Sequence, residues 1–396
     1  MKQTDSEDIM TDTYAVINLN TLTSNAKALT EKYSEYGAFI GIVKGDAYGH
    51  GYECVNALQK GGISCFAVSS LEEAENFRRF NTSAPLLCLE PVSIKRLSDA
   101  AELKLTLAVP DLRYMKELAA SGCGYPFKLH MQIDSGFNRL GFKDKDEVKK
   151  AADMIESSPY TLEGVYQHYA TAGVFDPYYD AQTQRFKELT SLLDLTKIPL
   201  VHLGSGTALM AHPKEDIATA TRIGLAMYGY NIAPESYGGG IINKLREARD
   251  KHYQKKYNLT ETIRDVIIDL KPAISLKTRI IQLKDVAKGE HIGYLAAYTA
   301  EEDMRIAVLP IGYNNGIGHH DDGRVVEING KLYPVVGAVG MNMMAVKVDG
   351  SVGYDDEVTL LGGKITLGMF SRFSGLGLAE VLLGVGKNNK RYYVEE

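Results

Sequence analysis

The stretch AFIGIVKGDAYGHG, residues 38–51, joins an apolar run to a glycine-rich turn and determines how the rest of the chain is interpreted. The run contains Ile and Val, which is typical of a strand covered on both faces. Lys44 ends this run, and the glycines after it let the backbone approach a ligand closely. Burial there would favour a neutral amine able to form a Schiff base. A lone lysine is more often an exposed strand cap, so the surrounding pattern has to decide.

Short apolar runs alternate with helix-like segments such as SLEEAENFRRF from Tyr14 to about Pro234. After AFIGIVK the runs are CFAVSS, PLLCLE, LTLAVP, KLHMQID, LEGVYQH, PLVHLG and TRIGLAMYG, beginning at residues 65, 85, 105, 128, 162, 199 and 221. Strands separated by helices indicate βα units and a parallel sheet. About eight units over about 220 residues fit a (β/α)8 TIM-type barrel, with a doubly wound open sheet as the alternative. In a barrel Lys44 lies at the C-terminal rim, where active sites are built.

The second half of the chain has a different character. Residues 236–270 begin with the turn-prone SYGGG and continue with KLREARDKHYQKKY, a charged and helix-like stretch that we interpret as a linker or insertion. Alternating strands with hairpin signals such as ING then indicate a mostly β domain, ending in a helix around Leu378–Leu383 and a basic tail. The predicted division is an N-terminal segment 1–13, a barrel 14–235, a linker 236–270 and a C-terminal β-domain 271–396.

Composition excludes several classes of protein. The chain has 396 residues, 45% of them hydrophobic, and a net charge of −6, so it shows no basic surface for nucleic acid or an anionic membrane. No apolar run of about 18 residues indicates a membrane span, and the polar N-terminus lacks the apolar core of a signal peptide. The four cysteines form no CxxC pair and no metal-type spacing, so we expect reduced thiols, no metal site and a cytoplasmic protein.

Polar residues follow several of the predicted barrel strands. Arg139 lies in HMQIDSGFNRLGF, and His168 and His202 end two later strands. Each alone is more often structural, as a surface arginine or as a histidine satisfied within the core. Two histidines on successive strands, flanked by Gly and Ser, instead indicate a polar pocket wall. The loop GSGT, residues 204–207, has backbone N–H groups that could hold a phosphate.

VKGDAYGHG, residues 43–51, closely resembles the cofactor-lysine motif of alanine racemases, usually written VKANAYGHG. Further motifs of that family follow in the same order, and the resemblance extends from about Tyr14 to Tyr392. In chain order they are NRLG (138–141), HYATA (168–172), HLGSG (202–206), TRIGLAMYG (221–229), GYLAAYTA (293–300), LPIGY (309–313) and VGAVGMN (336–342). The resemblance implies a (β/α)8 barrel followed by a β-domain, and a head-to-tail homodimer with two shared active sites.

The resemblance also implies a two-base racemase that uses pyridoxal 5′-phosphate and interconverts L- and D-alanine for peptidoglycan. Lys44 is expected to hold the cofactor and to exchange the Cα proton of the D-enantiomer, and Tyr294 of the other protomer that of the L-enantiomer. Arg139 is expected to face the cofactor's phenolic oxygen and the substrate carboxylate, which the backbone at Met341 also helps to bind. The remaining expected cofactor contacts are Tyr48, His168, His202, Ser205, Gly224 and Arg222, the last at the pyridine nitrogen.

Several positions depart from the family pattern. Gln132 replaces a lysine that can carry a carbamate beside the arginine, so the arginine needs another orienting group. Ser205 and Gly206 stand where Asn and Ser are usual in the phosphate loop. Near the C-terminus GKNNKR replaces SYRVPR, so Lys387 or Asn388 stands where a tyrosine narrows the entrance of the pocket. A polar residue there would admit serine or a longer side chain.

Three alternatives stay open at this point. The related decarboxylases of barrel-plus-β architecture would have a carboxylate at the pyridine nitrogen and a cysteine in the second domain, whereas here Arg222 is present and every cysteine precedes residue 124. A single-barrel carrier that binds the cofactor without catalysis would lack the β-domain and Tyr294. A racemase of serine, or of broad specificity, is favoured by the change at Lys387 and Asn388.

Overall fold

The computed structural model describes residues 12–173, 176–231, 241–256, 268–321 and 323–396. The strands are β1 Thr13–Asn18, β2 Ala38–Ile42, β3 Cys65–Val68, β4 Leu86–Cys88, β5 Leu105–Val109, β6 Lys128–Gln132, β7 Thr161–Tyr166, β8 Leu200–His202, β9 Ala220–Ile223, β10 Ile274–Arg279, β11 Gln282–Val286, β12 His291–Ile292, β13 Tyr298–Thr299, β14 Met304–Leu309, β15 Val325–Ile328, β16 Lys331–Val336, β17 Met344–Val348, β18 Glu357–Leu361 and β19 Lys390–Val394. The right-handed helices are Leu19–Lys32, Val55–Lys60, Leu71–Arg78, Leu97–Glu102, Leu112–Ala120, Lys145–Glu156, Pro177–Leu189, Gly206–Ala211, Ile241–Lys256, Leu367–Ser374 and Leu378–Asn388.

Strands β2 to β9 form an eight-stranded parallel sheet that closes on itself. Each strand from β2 to β7 pairs with the next along the chain, and β9 pairs with β2. The two ends of this order meet, because the N–H of Thr219 donates to the carbonyl of Val201 at 3.0 Å and that of Arg222 donates to Gly204 at 3.3 Å. The predicted (β/α)8 barrel is therefore confirmed, and the doubly wound open sheet is wrong.

The barrel strands are apolar because both of their faces are covered. Every residue of β3, β4 and β5 is buried, as expected for a parallel sheet enclosed by helices. Helix starts are fixed by caps: the side chains of Ser70, Asp111, Asp144 and Asp176 each accept a hydrogen bond from a backbone N–H of the first helical turn. Such a cap contributes about 1 kcal/mol, so local sequence and fold agree at each of these helices.

The second large sheet contains nine strands drawn from both ends of the chain, in the order β11-β14-β17-β16-β15-β18-β10-β1-β19. Its β15–β16 hairpin uses the predicted ING turn. Ile328 pairs with Lys331, and Asn329 and Gly330 have φ values of 50° and 75°, as a two-residue type I′ turn requires. The tail predicted as a basic extension is a strand of this sheet, because β19 pairs parallel to β1.

Two compact units divide the described residues, with boundaries that differ from the sequence-based division. One unit contains residues 12–22, Gly45–Cys54 and Lys271–Glu396, and the other contains Thr23–Lys44 and Val55–Leu270. The sequence-based division begins the barrel at residue 14, whereas β1 pairs with β10 in the second sheet and the barrel unit contains Thr23–Lys44. Helix Ile241–Lys256 lies in the predicted linker, whose residues 236–240 and 257–267 are outside the described residues, as are residues 1–11.

Within the parts of the chain that the structure describes, no single helix is long and apolar enough to cross a membrane. The helices Leu367–Ser374 and Leu378–Asn388 reach the required length and composition as a pair, but they are bent by 91°.

A left-handed turn, Lys44–Tyr48, follows β2 directly. Residues 45–48 have φ values of 67°, 57°, 53° and 54°. This conformation costs about 1–2 kcal/mol for a residue with a Cβ, so three such residues in succession need stabilising contacts. The N–H of Gly49 donates to the carbonyl of Gly45 at 3.0 Å and closes the turn.

We expect Gly386→Ala to destabilise the fold, because Gly386 lies directly against the backbone of Gly49. A Cβ at residue 386 would come 1.9 Å from the carbonyl oxygen of Gly49, so backbone would have to move. The free energy of unfolding, measured by chemical denaturation, should fall by at least about 1–3 kcal/mol. Gly350→Ala is the matched control, since an added Cβ there meets nothing within 4 Å. Equal stabilities of the two variants would contradict the close approach.

Candidate active site

The predicted site residues are distributed over both units. Those of the barrel unit lie at or just beyond the carboxyl ends of its strands: Lys44, Arg139, His168, His202, Ser205, Arg222 and Gly224. Lys44 is exposed and lies at the rim, past the covered part of β2, so burial does not act on its amine here. Tyr48, Tyr294 and Met341 belong to the other unit, which contains Gly45–Cys54 and Lys271–Glu396 and is called the second unit below. Tyr48 is half-buried at the end of the left-handed turn.

Arg222, in β9, has a buried guanidinium held by carbonyl and imidazole groups. Its Nη1 donates to the carbonyl of His202 at 2.6 Å and to Nδ1 of the same residue at 2.8 Å. Its Nη2 donates to the carbonyl of Gln167 at 2.7 Å and to Nδ1 of His168 at 3.3 Å. Among the described residues no carboxylate is one of its hydrogen-bond partners. Burial lowers the pKa of Arg222 to about 10, which leaves it charged at neutral pH.

A guanidinium can only donate hydrogen bonds, and this fixes the protons along a chain of side chains. Because Nδ1 of His202 accepts from Arg222, His202 carries its proton on Nε2, which lies 2.9 Å from Nδ1 of His130. His130 then carries its own proton on Nε2 and donates to Glu163 at 3.3 Å. The donation therefore runs in one direction from Arg222 to Glu163, whose other oxygen contacts Lys128 at 2.6 Å.

The imidazoles of His202 and His130, which link Arg222 to Glu163, are both neutral. Burial lowers the pKa of His202 well below its usual value, with the charge of Arg222 acting in the same sense. Burial also lowers the pKa of His130, although its bond to Glu163 acts in the opposite sense. Burial raises the pKa of Glu163, but hydrogen bonds from His130 and Lys128 outweigh it and bring this pKa to about 2. Glu163 is thus ionised and connected to Arg222 through two neutral rings.

The charges of three cations act on the pKa of His168. Burial, followed by the charges of Arg222, Arg139 and Lys44, lowers the pKa of His168 to about 3. Arg139 is exposed, and its guanidinium carbon lies 4.4 Å from the ring centroid of Phe137. Phe137 in turn packs edge-on against the imidazole of His168, with centroids 5.0 Å apart. This stack on Phe137 orients the arginine in a chain that has Gln132 where the family has a lysine.

The side chain of Gln132, at the position where the family has a lysine, forms a hydrogen bond with Tyr166. Its Oε1 accepts from the hydroxyl of Tyr166 at 3.0 Å. The Tyr166 ring lies parallel to the imidazole of His202, with centroids 4.8 Å apart and an angle of 4° between the planes. The guanidinium carbon of Arg222 is 5.6 Å from the same ring. Tyr166 therefore connects Gln132 to the buried Arg222 rather than to Arg139.

The predicted phosphate loop leads into the short helix Gly206–Ala211. Ser205 is the N-cap residue, and its side chain makes no capping hydrogen bond. N–H groups in the first turn of a helix have no partner within the helix, so they can donate to an anion. Gly173 lies against this turn, since a Cβ there would be 2.9 Å from Cγ2 of Thr207. Gly224 follows β9 directly, before a turn of 3₁₀ helix.

Exposed apolar side chains cluster on loops of the second unit. Tyr294, Leu295 and Met341 are 72%, 101% and 54% exposed. The N–H of Tyr313 donates to the carbonyl of Gly340 at 3.0 Å, and a Cβ at Gly340 would be 3.5 Å from the Tyr294 ring. The three motifs GYLAAYTA, LPIGY and VGAVGMN thus meet in one place, as motifs of a shared function would.

Sequence reasoning missed several residues that build the interior of the site. His130 lies two residues before Gln132 in β6, and Tyr166 lies two residues before His168. Alternate residues of a strand point to the same side, so this spacing was a usable signal that they face the barrel interior. Phe137 carried no such signal, because its role depends on the backbone path of a loop.

Comparisons with known proteins agree with this architecture. The family descriptions "Alanine racemase, N-terminal domain" and "Alanine racemase, C-terminal domain" match residues 17–232 and 273–393. The chain is 30% identical over 357 residues to the alanine racemase of Streptococcus pneumoniae serotype 19F (strain G54), covering 88% of each chain. Its structure is similar to that of alanine racemase from E. faecalis, with a TM-score of 0.84, 27% identity and coverage of 98% and 99%. It is also similar to the alanine racemase from Bacillus anthracis with bound L-Ala-P, with a TM-score of 0.81, 29% identity and coverage of 97% and 95%.

A closed barrel with a lysine and a buried arginine at its rim, followed by a β unit with these motifs, defines an amino-acid racemase, an isomerase. The chain belongs to the alanine racemase family, because the family matches extend over both of its parts. This membership sets aside the decarboxylase and the non-catalytic carrier considered from the sequence.

We expect the free energy of unfolding to fall as the pH drops below about 6.5, the usual pKa of histidine. The pKa values of His130, His168 and His202 are lowered in the folded barrel, so the unfolded chain binds more protons in this range. The stabilisation is complete above about pH 6.5 and each histidine removes up to about 1.4 kcal/mol per pH unit below it. Chemical denaturation between about pH 7.5 and 5.5 measures the slope, which His168→Asn should reduce by one histidine's share. A flat profile would contradict the neutral assignment.

Proposed function

We propose that this chain is a pyridoxal 5′-phosphate-dependent racemase that interconverts L- and D-alanine in the cytoplasm and supplies D-alanine for peptidoglycan. The observation that carries the proposal is that the half-buried His168 lies 3.3 Å from Nη2 of Arg222 and has its pKa lowered by burial and then by the charges of Arg222, Arg139 and Lys44. The cofactor and an amino-acid substrate together bring a phosphate, a phenolic oxygen and a carboxylate. A site of one amine and two guanidinium groups matches these anionic groups.

The donor set fits the cofactor group by group. Lys44 offers an amine at an accessible rim position, as a carbonyl cofactor requires. Ser205, with no capping bond, and the first-turn N–H groups after it offer donors to a phosphate. Arg222 offers a donor to a pyridine nitrogen, and Arg139 a planar fork for a phenolic oxygen and a carboxylate. When bound, the cofactor supplies an electron sink that weakens the Cα–H bond of the amino acid.

Lys44 and Tyr294 act as opposed bases. One removes the Cα proton from one face and the other returns a proton to the opposite face, with Lys44 serving the D-enantiomer and Tyr294 the L-enantiomer. A tyrosine hydroxyl has an unperturbed pKa of about 10, so it needs a cationic neighbour to act as a base. The cationic surroundings of His168, with Arg222 behind it, supply that neighbour. Because Arg222 only donates, it leaves a ring nitrogen unprotonated, which favours prompt return of the proton to Cα.

The protein acts as a homodimer with shared sites. Leu295 is wholly exposed and has a left-handed φ of 57°, beside the exposed Tyr294 and Met341. A strained, apolar loop tip of this kind is typical of a surface that a partner covers. In the proposed dimer each protomer's Tyr294 and Met341 complete the site that contains the other protomer's Lys44.

A serine or broad-specificity racemase is the second candidate. Lys387 and Asn388 stand where the family has a gate tyrosine, and both are exposed in the last turn of helix Leu378–Asn388. A flexible polar side chain at a pocket entrance leaves room for a hydroxyl that an aromatic ring would exclude. Comparing kcat/KM for alanine, serine, lysine and arginine decides between the two candidates, since alanine should be fastest under the first.

We expect Lys44→Ala to abolish racemisation and the visible absorbance of bound pyridoxal phosphate. Its side chain supplies both the attachment point and one base, so the loss should exceed about a thousandfold in kcat. Borohydride treatment of the unmodified enzyme should fix the cofactor on the peptide that contains Lys44. Lys60→Ala, which removes an exposed lysine of the next helix, is the control and should behave like the unmodified enzyme. Wild-type turnover in Lys44→Ala would sink the proposal.

We expect inactive protomers to complement each other if the sites are shared. Lys44→Ala and Tyr294→Phe homodimers should each be nearly inactive. When the two variants are co-expressed in equal amounts, about half of the dimers contain one protomer of each kind. Each of these hybrid dimers has one intact site of its two, so activity should recover to about a quarter of wild type. Complementation is absent if each protomer uses its own Tyr294, and that outcome would refute the shared site. Mixing Lys44→Ala with a second Lys44→Ala preparation is the matched negative control.

A further inference from the structure

We infer that Arg391 is a positioning residue of this site, which holds the turn after Lys44 in place through an ion pair with Asp46. The inference rests on the proposed function, since it concerns the lysine proposed to hold the cofactor. Asp46 and Arg391 are 345 positions apart in the chain, and both belong to the second unit. No sequence pattern relates them.

Two side chains of β19 hold the turn. Nη1 of Arg391 bonds to a carboxylate oxygen of Asp46 and donates to the carbonyl of Gly49 at 3.2 Å. The hydroxyl of Tyr393 donates to the carbonyl of His50 at 3.1 Å. Residues two apart on a strand face the same side, so both contacts come from one face of β19. The Arg391 and Asp46 side chains are only 20% and 24% exposed, so solvent screens this pair less than a surface pair.

Helix Leu378–Asn388 contacts the glycines of the same turn. A Cβ at Gly45 would lie 2.7 Å from Cδ2 of Leu383, and one at Gly49 would lie 2.1 Å from the carbonyl oxygen of Leu382. Replacing Gly49 would require the backbone of this helix to move, whereas replacing Gly45 would require the end of the Leu383 side chain to shift. The turn is therefore held by the helix at its glycines and by β19 at its carboxylate and carbonyl groups.

The turn needs such contacts because its conformation is strained. Residues 46–48 have φ values of 57°, 53° and 54°, and left-handed non-glycine residues persist only where their surroundings hold them. Internal bonds close the turn: the N–H of Gly51 donates to Asp46 at 2.9 Å, and Nδ1 of His50 donates to Ala47 at 3.1 Å. These bonds set its shape, whereas the contacts from β19 set its place in the unit. Because Lys44 directly precedes the turn, the position of the turn determines how the backbone of Lys44 is oriented.

Two residues of this turn differ from the family motif VKANAYGHG. Asp46 stands at the motif's Asn, so its hydrogen bond to Arg391 is charge-assisted, which a neutral amide could not provide. Gly45 stands at the motif's first Ala and lacks the Cβ that would meet the side chain of Leu383. Both differences favour a turn fixed tightly to the C-terminal helix and strand.

The test compares Arg391→Ala, Arg391→Lys and Asp46→Asn with a matched control, Arg279→Ala. Arg279 forms an ion pair with Asp12 in the same sheet, away from the turn. The first measurement is hydrogen exchange of the Gly49, His50 and Gly51 amides in the cofactor-free protein. Protection should fall at least about tenfold in Arg391→Ala, less in the two conservative variants, and not in the control. Asp46→Asn keeps the shape of the side chain, so the test does not depend on whether Arg391→Ala folds.

The second measurement is the split between kcat and KM for alanine in the loaded enzyme. Arg391→Ala should lower kcat about tenfold or more and change KM by less than about twofold, because it misplaces Lys44 and leaves the substrate contacts intact. Arg391→Lys should recover part of the loss, since it restores the charge but not the second donor.

The outcomes separate the inference from the proposed function. Unchanged amide protection in Arg391→Ala overturns the inference, and so does reduced protection with wild-type kcat. If the unmodified enzyme neither binds pyridoxal phosphate nor racemises an amino acid, the proposed function fails. The exchange data then still decide whether Arg391 holds the turn.

Discussion

A buried guanidinium charge with no carboxylate among its hydrogen-bond partners in the described parts of the chain is the constraint around which the interior of the barrel is built. Transfer of an isolated charge from water is costly unless dipoles of the protein replace its hydration. Arg222 receives that replacement from the carbonyls of His202 and Gln167 and from two imidazole nitrogens. These groups come from the ends of β7 and β8, so the buried charge requires that both strands end where they do.

The same constraint determines the state of side chains beyond direct contact. Because Arg222 can only donate, His202 and His130 each have one allowed tautomer, and the donation ends on the ionised Glu163. The network joins β6, β7, β8 and β9, which are neighbours around the barrel. Tyr166, stacked on His202, adds the Gln132 position to it. A ligand placed against Arg222 therefore meets a donor whose geometry and charge are set by four strands at once.

The features that were predictable from the sequence are those determined by nearby residues. The eight barrel strands, the ING hairpin and the helix near Leu378 follow from apolar runs, turn residues and periodicity. The pairing of β1 with β10 and β19 could not be predicted, because it joins residues from opposite ends of the chain. The stack of Arg139 on Phe137 is local in sequence, yet it depends on a loop path that no periodicity describes. Motif order predicted the site residues, while the contacts that fix the protons of the histidines could be seen only in the fold.

The chain passes from one compact unit to the other at the bond between Lys44 and Gly45. Lys44 follows β2 and takes its contacts with the barrel, whereas Gly45–Cys54 has its contacts with the C-terminal helix and strand. A left-handed turn is well suited to this point. It cannot lengthen either neighbouring element, since an α-helix or a strand requires negative φ, and its carbonyls are already bonded within the turn or to β19. Lys44 is thus the last residue of this segment of the barrel unit, and the turn that begins at Gly45 is held by the C-terminal helix and strand.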